Sequence, residues 1–289
     1  MTETHLLFRH RIAILTTVAA VGCLLNTGVH AQVPAVKLDI AANRGDLVTP
    51  VYEGWYEAGG TTYALFGYYN RNLEEVVNVP IGPANRISPG AIDHGQPTRF
   101  FPGKAQGVFA VAVPAKTEVT WTLTANGRTF VIPATLDQLY LIAPQKTEAG
   151  TYPGNTPPVV KFEPTGPSGQ GPAGITVTRT ATVSRPLSID VWVSDDGLPP
   201  PAGSTDVTPA LRVTTGREPA GMALTWKVWR GPGEVKFSPE TPEATEGKAS
   251  TEATFSAPGD YMLLFSAVDS RGPERCCWTH GYVKVTVQP

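Results

Sequence analysis

Apolar and polar side chains alternate at every second position in short stretches along most of this chain, and clusters of Gly, Pro and Asn separate the stretches. A period of two sends successive side chains to opposite faces of an extended strand, whereas a helix needs a period near 3.6. Helical periodicity is nearly absent. Many short strands with turn signals between them predict an all-β chain built as two immunoglobulin-like sandwiches in tandem.

The sharpest local expectation lies in EVTWTLTANGRTFVIP, residues 118–133. Asn126-Gly127 tolerates the two positive φ angles of a type I′ turn, so the flanking runs fold into a hairpin. That turn pairs Leu123 with Phe130 and Trp121 with Ile132. Val119, Trp121, Leu123, Phe130 and Ile132 then share one face, and Thr120, Thr122, Thr124 and Thr129 the other. A second hairpin is expected in VYEGWYEAGGTTYALFGYY, residues 51–69, turning at Gly59-Gly60. It pairs Tyr56 with Tyr63 and Trp55 with Ala64. One face carries Tyr52, Tyr56, Tyr63, Leu65 and Tyr69; the other carries Val51, Trp55, Phe66 and Tyr68. A sandwich core needs a single apolar face, so a neighbouring domain, a loop or a ligand must cover the second.

Between the two halves, PQKTEAGTYPGNTPP at 144–158 has four prolines and almost no apolar content, which reads as a linker. The expected organisation is therefore a leader (1–31), a β-sandwich (32–143), the linker (144–158) and a second sandwich (159–289). The leader follows from a short basic region (Arg9, His10, Arg11), an apolar run from Ile12 to Leu25 and small residues before a cut at Gln32. The run is too short for a membrane span. Cys23, after Ala20-Val21-Gly22, is a competing lipid-anchor site. Either reading places the mature chain outside the cytoplasm, in the periplasm or beyond it.

SIDVWVSDDG (188–197), ALTWKVWRGPGEVKFSPE (223–240), EATFSAPGDYMLLFSAVDSRG (252–272) and GYVKVTV (281–287) follow one another as strands do in immunoglobulin-like repeats. The C-terminal half resembles those of the polycystic-kidney-disease (PKD) and cadherin-like kind. The resemblance makes Trp226 the buried tryptophan of the third strand. It makes Gly259-Asp260-Tyr261 the corner at which a tyrosine hydroxyl bonds back to nearby backbone. Leu263 stands where antibody domains carry a disulfide cysteine, so apolar packing replaces that bridge. The N-terminal half is similar to uncharacterised exported bacterial β proteins, and nothing functional comes with that likeness.

Composition narrows the function. Hydrophobic residues make up 41% beside 29 Gly and 28 Pro, which means many turns around a real core. The formal net charge is -2, and losing Arg9, Arg11 and Glu3 with the leader makes it one unit more negative. No basic block exists, which argues against a nucleic-acid partner. Gly169–Gly174, GQGPAG, satisfies G-x-G-x-x-G, but the strand-like ITVTRTATV follows it instead of a helix. G-x-S-x-G and H-E-x-x-H do not occur. His94, after Asp93, has no signposted nucleophile beside it and reads as a loop histidine.

Three constellations remain. Cys276 and Cys277 are adjacent, with Cα atoms about 3.8 Å apart, closer than the roughly 4.4–6.8 Å that disulfides prefer. A strained vicinal disulfide, two reduced thiols, an intermolecular bridge and a soft-metal site with His280 are the alternatives. Asp195 and Asp196 end one expected strand and Asp269 another; cadherin-like relatives place calcium ligands at such ends, so calcium is the candidate cofactor there. Turn-forming roles compete with that reading. Trp55, Tyr56, Tyr68, Tyr69, Asn70 and Arg71 would form an aromatic platform for a glycan, against a role in core and interdomain packing. The expectation is an exported, non-enzymatic adhesion, scaffold or recognition protein whose partner is a protein or a glycan. The alternative is a carbohydrate-binding module acting through the first domain.

Overall fold

The computed structural model describes residues 41–114, 117–143, 154–198, 222–269 and 277–289; the leader, Cys23, Cys276 and residues 144–153 lie outside them. Seventeen strands make up the described chain. In the N-terminal half these are β1 (Val48–Ala58), β2 (Thr61–Asn70), β3 (Val77–Asn78), β4 (Asn85–Ser88), β5 (Arg99–Phe100), β6 (Gly103–Ala112), β7 (Val119–Ala125) and β8 (Arg128–Ala134). In the C-terminal half they are β9 (Val159–Lys161), β10 (Ser168–Gly169), β11 (Ile175–Thr182), β12 (Leu187–Ser194), β13 (Ala223–Arg230), β14 (Val235–Ser238), β15 (Lys248–Phe255), β16 (Gly259–Val268) and β17 (Trp278–Gln288).

The C-terminal half is a sandwich of a five-stranded sheet, β10-β9-β12-β15-β14, and a four-stranded sheet, β11-β17-β16-β13. Its core holds Val160, Phe162, Val191, Trp226, Leu263, Phe265, Val283 and Val285. Trp226 is 1% exposed, and the Tyr261 hydroxyl donates to the Ala257 carbonyl at 2.9 Å. Leu263 is fully buried. Strands β12 and β15 alternate buried and exposed positions along their length, because their sheet has one face in water.

The four-stranded sheet does not alternate so simply. Val228 and Trp229 are consecutive and both buried in β13, as are Leu263, Leu264 and Phe265 in β16. In β17, Thr279 to Val283 are all buried before strict alternation resumes at Lys284. Consecutive buried residues on a strand mean that both faces are covered. Trp229, Leu264 and Tyr282 point away from the C-terminal core and join Phe109, Val108 and Val111 in the core of the other half.

In that N-terminal half, β1-β2-β6 and β4-β7-β8 enclose Trp121, with the short pair β3-β5 beside them. The Trp121 ring stands edge-on to Phe109 and Phe66, at centroid distances of 5.0 and 5.8 Å, and stacks on Phe100. The β7–β8 hairpin has the register expected from its turn, Leu123 opposite Phe130 and Trp121 opposite Ile132, with φ of 47° at Asn126 and 74° at Gly127. The β1–β2 hairpin also pairs Tyr56 with Tyr63 and Trp55 with Ala64. Beyond them the expected facing fails. A bulge at Glu53 inserts one residue, so Tyr52 sits opposite Phe66 and joins its face instead of that of Tyr56.

Residues 154–158, expected as the end of a solvated linker, pack onto the C-terminal sandwich instead. Asn155, Pro157 and Pro158 are buried, and Thr156 donates from its backbone and hydroxyl to Asp196 Oδ2, each at 2.8 Å. Polar content misled here because these groups find partners on the sandwich.

One buried polar side chain ties the small N-terminal sheets together. Asn85 is fully buried; its Nδ2 donates to the carbonyls of Val79 and Pro97 at 3.0 and 2.7 Å, and its Oδ1 accepts from Trp121 Nε1 at 3.0 Å. Truncating it strands three buried groups. Asn85→Ala is expected to lower unfolding free energy by about 2–4 kcal/mol, read from urea denaturation.

Candidate functional site

The aromatic residues nominated as a glycan platform are not assembled into one. Trp55 is 7% exposed, Tyr56 1%, Tyr68 2% and Asn70 0%. Each is held by protein. The Trp55 indole N–H donates to the Asp137 carbonyl at 2.8 Å, and the chain at 137–142, including the short 3-10 turn Gln138–Tyr140, lies over it; Ile142 N–H closes onto the Trp55 carbonyl. Tyr56 stacks on Tyr63 and lies close to Ala173 and Tyr282 of the C-terminal half, and burial raises its hydroxyl pKa well above the ordinary tyrosine value. The Tyr68 hydroxyl accepts from the Phe101 N–H at 3.0 Å. Asn70 Nδ2 donates to the carbonyls of Glu75 and Phe100. Of the six, Tyr69 is exposed and Arg71 is part-exposed, 3.7 Å from Asp46. A loop thus covers Trp55 on one face of the hairpin, and the other sandwich covers Tyr56 on the opposite face.

Asp195, Asp196 and Asp269 do come to one end of the C-terminal sandwich, and their charges act on one another. Asp196 is already engaged, since Oδ2 accepts from Thr156 and Oδ1 from the Leu198 N–H at 2.9 Å. Asp195 Oδ2 accepts from the Gly197 N–H at 2.9 Å. Asp269 is 3% exposed, and no donor from a neutral or basic side chain reaches its carboxylate. Burial, then the Asp195 charge, pushes its pKa up to about 8. Among the described residues no group of three or more His, Cys, Asp or Glu is arranged to hold a metal ion.

Cys277 is fully buried and disulfide-bonded, with its Sγ 3.5 Å from the Asn155 carbonyl. Cys276 lies outside the described residues, so the vicinal pairing stands as a proposal. His280, the other nominated soft-metal ligand, is buried at 5% exposure within reach of the Tyr282 hydroxyl, at 3.4 Å from Nδ1. Burial pushes its pKa down to about 4, so it is neutral at physiological pH.

The largest constellation went unseen at the level of sequence. It is the junction between the sandwiches. Trp229 Nε1 donates to the Gly95 carbonyl at 2.8 Å, and Arg230 Nε and a terminal nitrogen both donate to the Gln96 carbonyl. Arg230 also forms a two-pronged ion pair with Asp93, both contacts at 2.8 Å, which holds the Asp93 carboxyl below the usual range. One terminal nitrogen of Arg99 reaches both Glu234 carboxylate oxygens, at 3.0 and 3.1 Å. Trp278 Nε1 and the Tyr282 hydroxyl donate to the carbonyls of Gly107 and Val108. Gly107 has φ of +55°, and a Cβ there would stand 2.2 Å from the Trp278 ring, so glycine is required. The loop 93–96, the β6 edge and strands β13 and β17 frame a cleft of about 430 Å³ lined by Asp93, His94, Phe109, Arg230, Tyr282 and Lys284 among others.

No protein-family model and no curated protein matches this chain. Among solved structures it is similar to domains 4 and 5 of the S-layer protein SbsC, at 10% identity over 84% of this chain and 98% of that one, with a TM-score of 0.23. The D00-D0 domain of intimin is matched at 9% identity over 83% and 100%, with a TM-score of 0.26. These likenesses are too distant to say anything about what the chain does.

Two buried groups set the pH dependence. His280 binds its proton more weakly folded than unfolded, so its contribution is whole above pH 6.5 and lost as pH falls toward 4. Asp269 binds its proton more tightly folded, so its contribution is present below pH 4 and lost as pH rises toward 8. Between pH 6.5 and 8 Asp269 acts without opposition from His280. The expected loss there is about 2 kcal/mol at roughly 1.4 kcal/mol per pH unit. Asp269→Asn should abolish that fall in thermal or urea unfolding; an unchanged slope would remove Asp269 as its source.

Proposed function

We propose that this is an exported, non-enzymatic scaffold or recognition module of the bacterial envelope, in which two sandwiches act as one stiff spacer. The observation that carries this reading is the junction. A flexible linker protein has no need to bury both faces of a sheet at the contact between halves, whereas a spacer that must keep its ends at a fixed separation does. Inter-domain contacts are ordinarily modest and polar, and such domains move. Here Trp229, Leu264 and Tyr282 enter the core of the other half, and two ion pairs close the rim.

The export half of the reading is supported by the leader pattern at residues 1–31, and by a disulfide at Cys277, a bond that persists in oxidising compartments. No helix among the described residues is long and apolar enough to cross a membrane. The closer kinship of the C-terminal half, with PKD and cadherin-like repeats, is proposed on Trp226, the Tyr261 corner and the strand succession. The aromatic platform is not carried forward, because three of its four rings, Trp55, Tyr56 and Tyr68, are buried.

Two measurements test these halves separately. Mass spectrometry of protein recovered outside the cytoplasm should give a chain beginning at Gln32; recovery only in the cytoplasm with Met1 retained would contradict export. Residual dipolar couplings from residues 41–143 and from residues 154–289 should fit one alignment tensor. Two different tensors would mean that the halves tumble apart, and the spacer reading would fail.

A further inference from the structure

The cleft at the junction carries an unused charge and unused hydrogen-bonding groups, and their chemistry selects a ligand. Asp93 and Arg230 on its wall neutralise each other in their ion pair. Lys284, also on the wall, is exposed and takes part in none of the ion pairs formed among the described residues. The cleft therefore offers one positive charge in a chain that is negative overall. Met262, part-exposed on the wall, gives a small apolar contact for the body of a ring, with Phe109 and Tyr282 beneath it in the core. At about 430 Å³ the space falls within the roughly 300–1,000 Å³ of small-molecule sites.

A second feature runs out of the same cleft. Thr176 lines it, and Thr178 and Thr180 follow on the same exposed face of β11. Their neighbours in register on β17 are Tyr282, Lys284 and Thr286. Two adjacent strands thus present a flat row of hydroxyls and one ammonium beginning at the pocket mouth. An apolar carboxylate would have no use for that row. A chain of hydroxylated rings would.

We infer that the junction cleft is a binding site for a uronate residue of an acidic polysaccharide, its carboxylate on Lys284, its ring beside Met262, and the following sugars along the threonine row of β11. This site is separate from the buried aromatic residues of β1 and β2, and it does not depend on the spacer reading, since a stiff or a flexible junction could hold it.

The probe is trigalacturonate, titrated by calorimetry into the mature chain, with galacturonate, maltotriose and acetate as comparisons. Trigalacturonate should bind at least tenfold more tightly than maltotriose or acetate, and its affinity should fall as salt is raised. Lys284→Met should reduce trigalacturonate affinity at least tenfold. Thr178→Val should weaken the trimer several-fold and leave galacturonate unchanged. Both side chains are exposed, so folding should persist, and an unaltered melting temperature confirms it. The inference is overturned if no uronate binds, if maltotriose or acetate binds as well as trigalacturonate, or if Lys284→Met binds like the parent. Galacturonate binding as tightly as its trimer would overturn the threonine row.

Discussion

The part of the outer face of the β11-β17-β16-β13 sheet around Trp229, Leu264 and Tyr282 is buried. That single constraint organises much of the rest. Once Trp229, Leu264 and Tyr282 are given to the N-terminal core, β13, β16 and the first half of β17 must be apolar on both sides. The polar groups that accompany them cannot be left to water either. The indoles of Trp229 and Trp278, the Tyr282 hydroxyl and the Arg230 guanidinium each reach a carbonyl or carboxylate of the other half. Apolar packing supplies the attraction at this contact, and the hydrogen bonds fix its angle and register.

Buried polar residues elsewhere follow the same rule. Asn85 and Asn70 are both wholly enclosed, and both spend their amides on loop carbonyls that no strand partner could satisfy. The N-terminal half has short sheets and many connections, so side-chain amides do work that longer ladders do in the C-terminal sandwich. Asp269 is the exception: it is buried beside Asp195 with no donor on its carboxyl, and burial raises its pKa.

How much of this was legible beforehand depends on how local the signal was. The β7–β8 hairpin could be read to the residue, because Asn126-Gly127 determines its own turn and the turn determines the register. The Tyr261 corner and Trp226 were likewise readable from short patterns. The bulge at Glu53 was missed, although Gly54 beside it, with φ of 129°, was a local sign of one, and that one residue moved Tyr52 to the opposite face. The platform failed because burial is a long-range property: the segments that cover Trp55 and Tyr56 lie more than eighty residues away. The junction left a trace in the runs KVW, MLLF and HGYV, where two neighbouring strand positions are both large and apolar. Such runs read as general hydrophobicity until it is known that the sheet already has a core on one side.

The claim beneath the rest is that the two sandwiches share a core and so fold as one unit. Differential scanning calorimetry of the intact mature chain tests it most directly. A shared core predicts one endotherm whose calorimetric enthalpy equals its van't Hoff enthalpy. Two separable endotherms, or a calorimetric enthalpy near twice the van't Hoff value, would mean that the halves unfold independently and that the junction does not bind them.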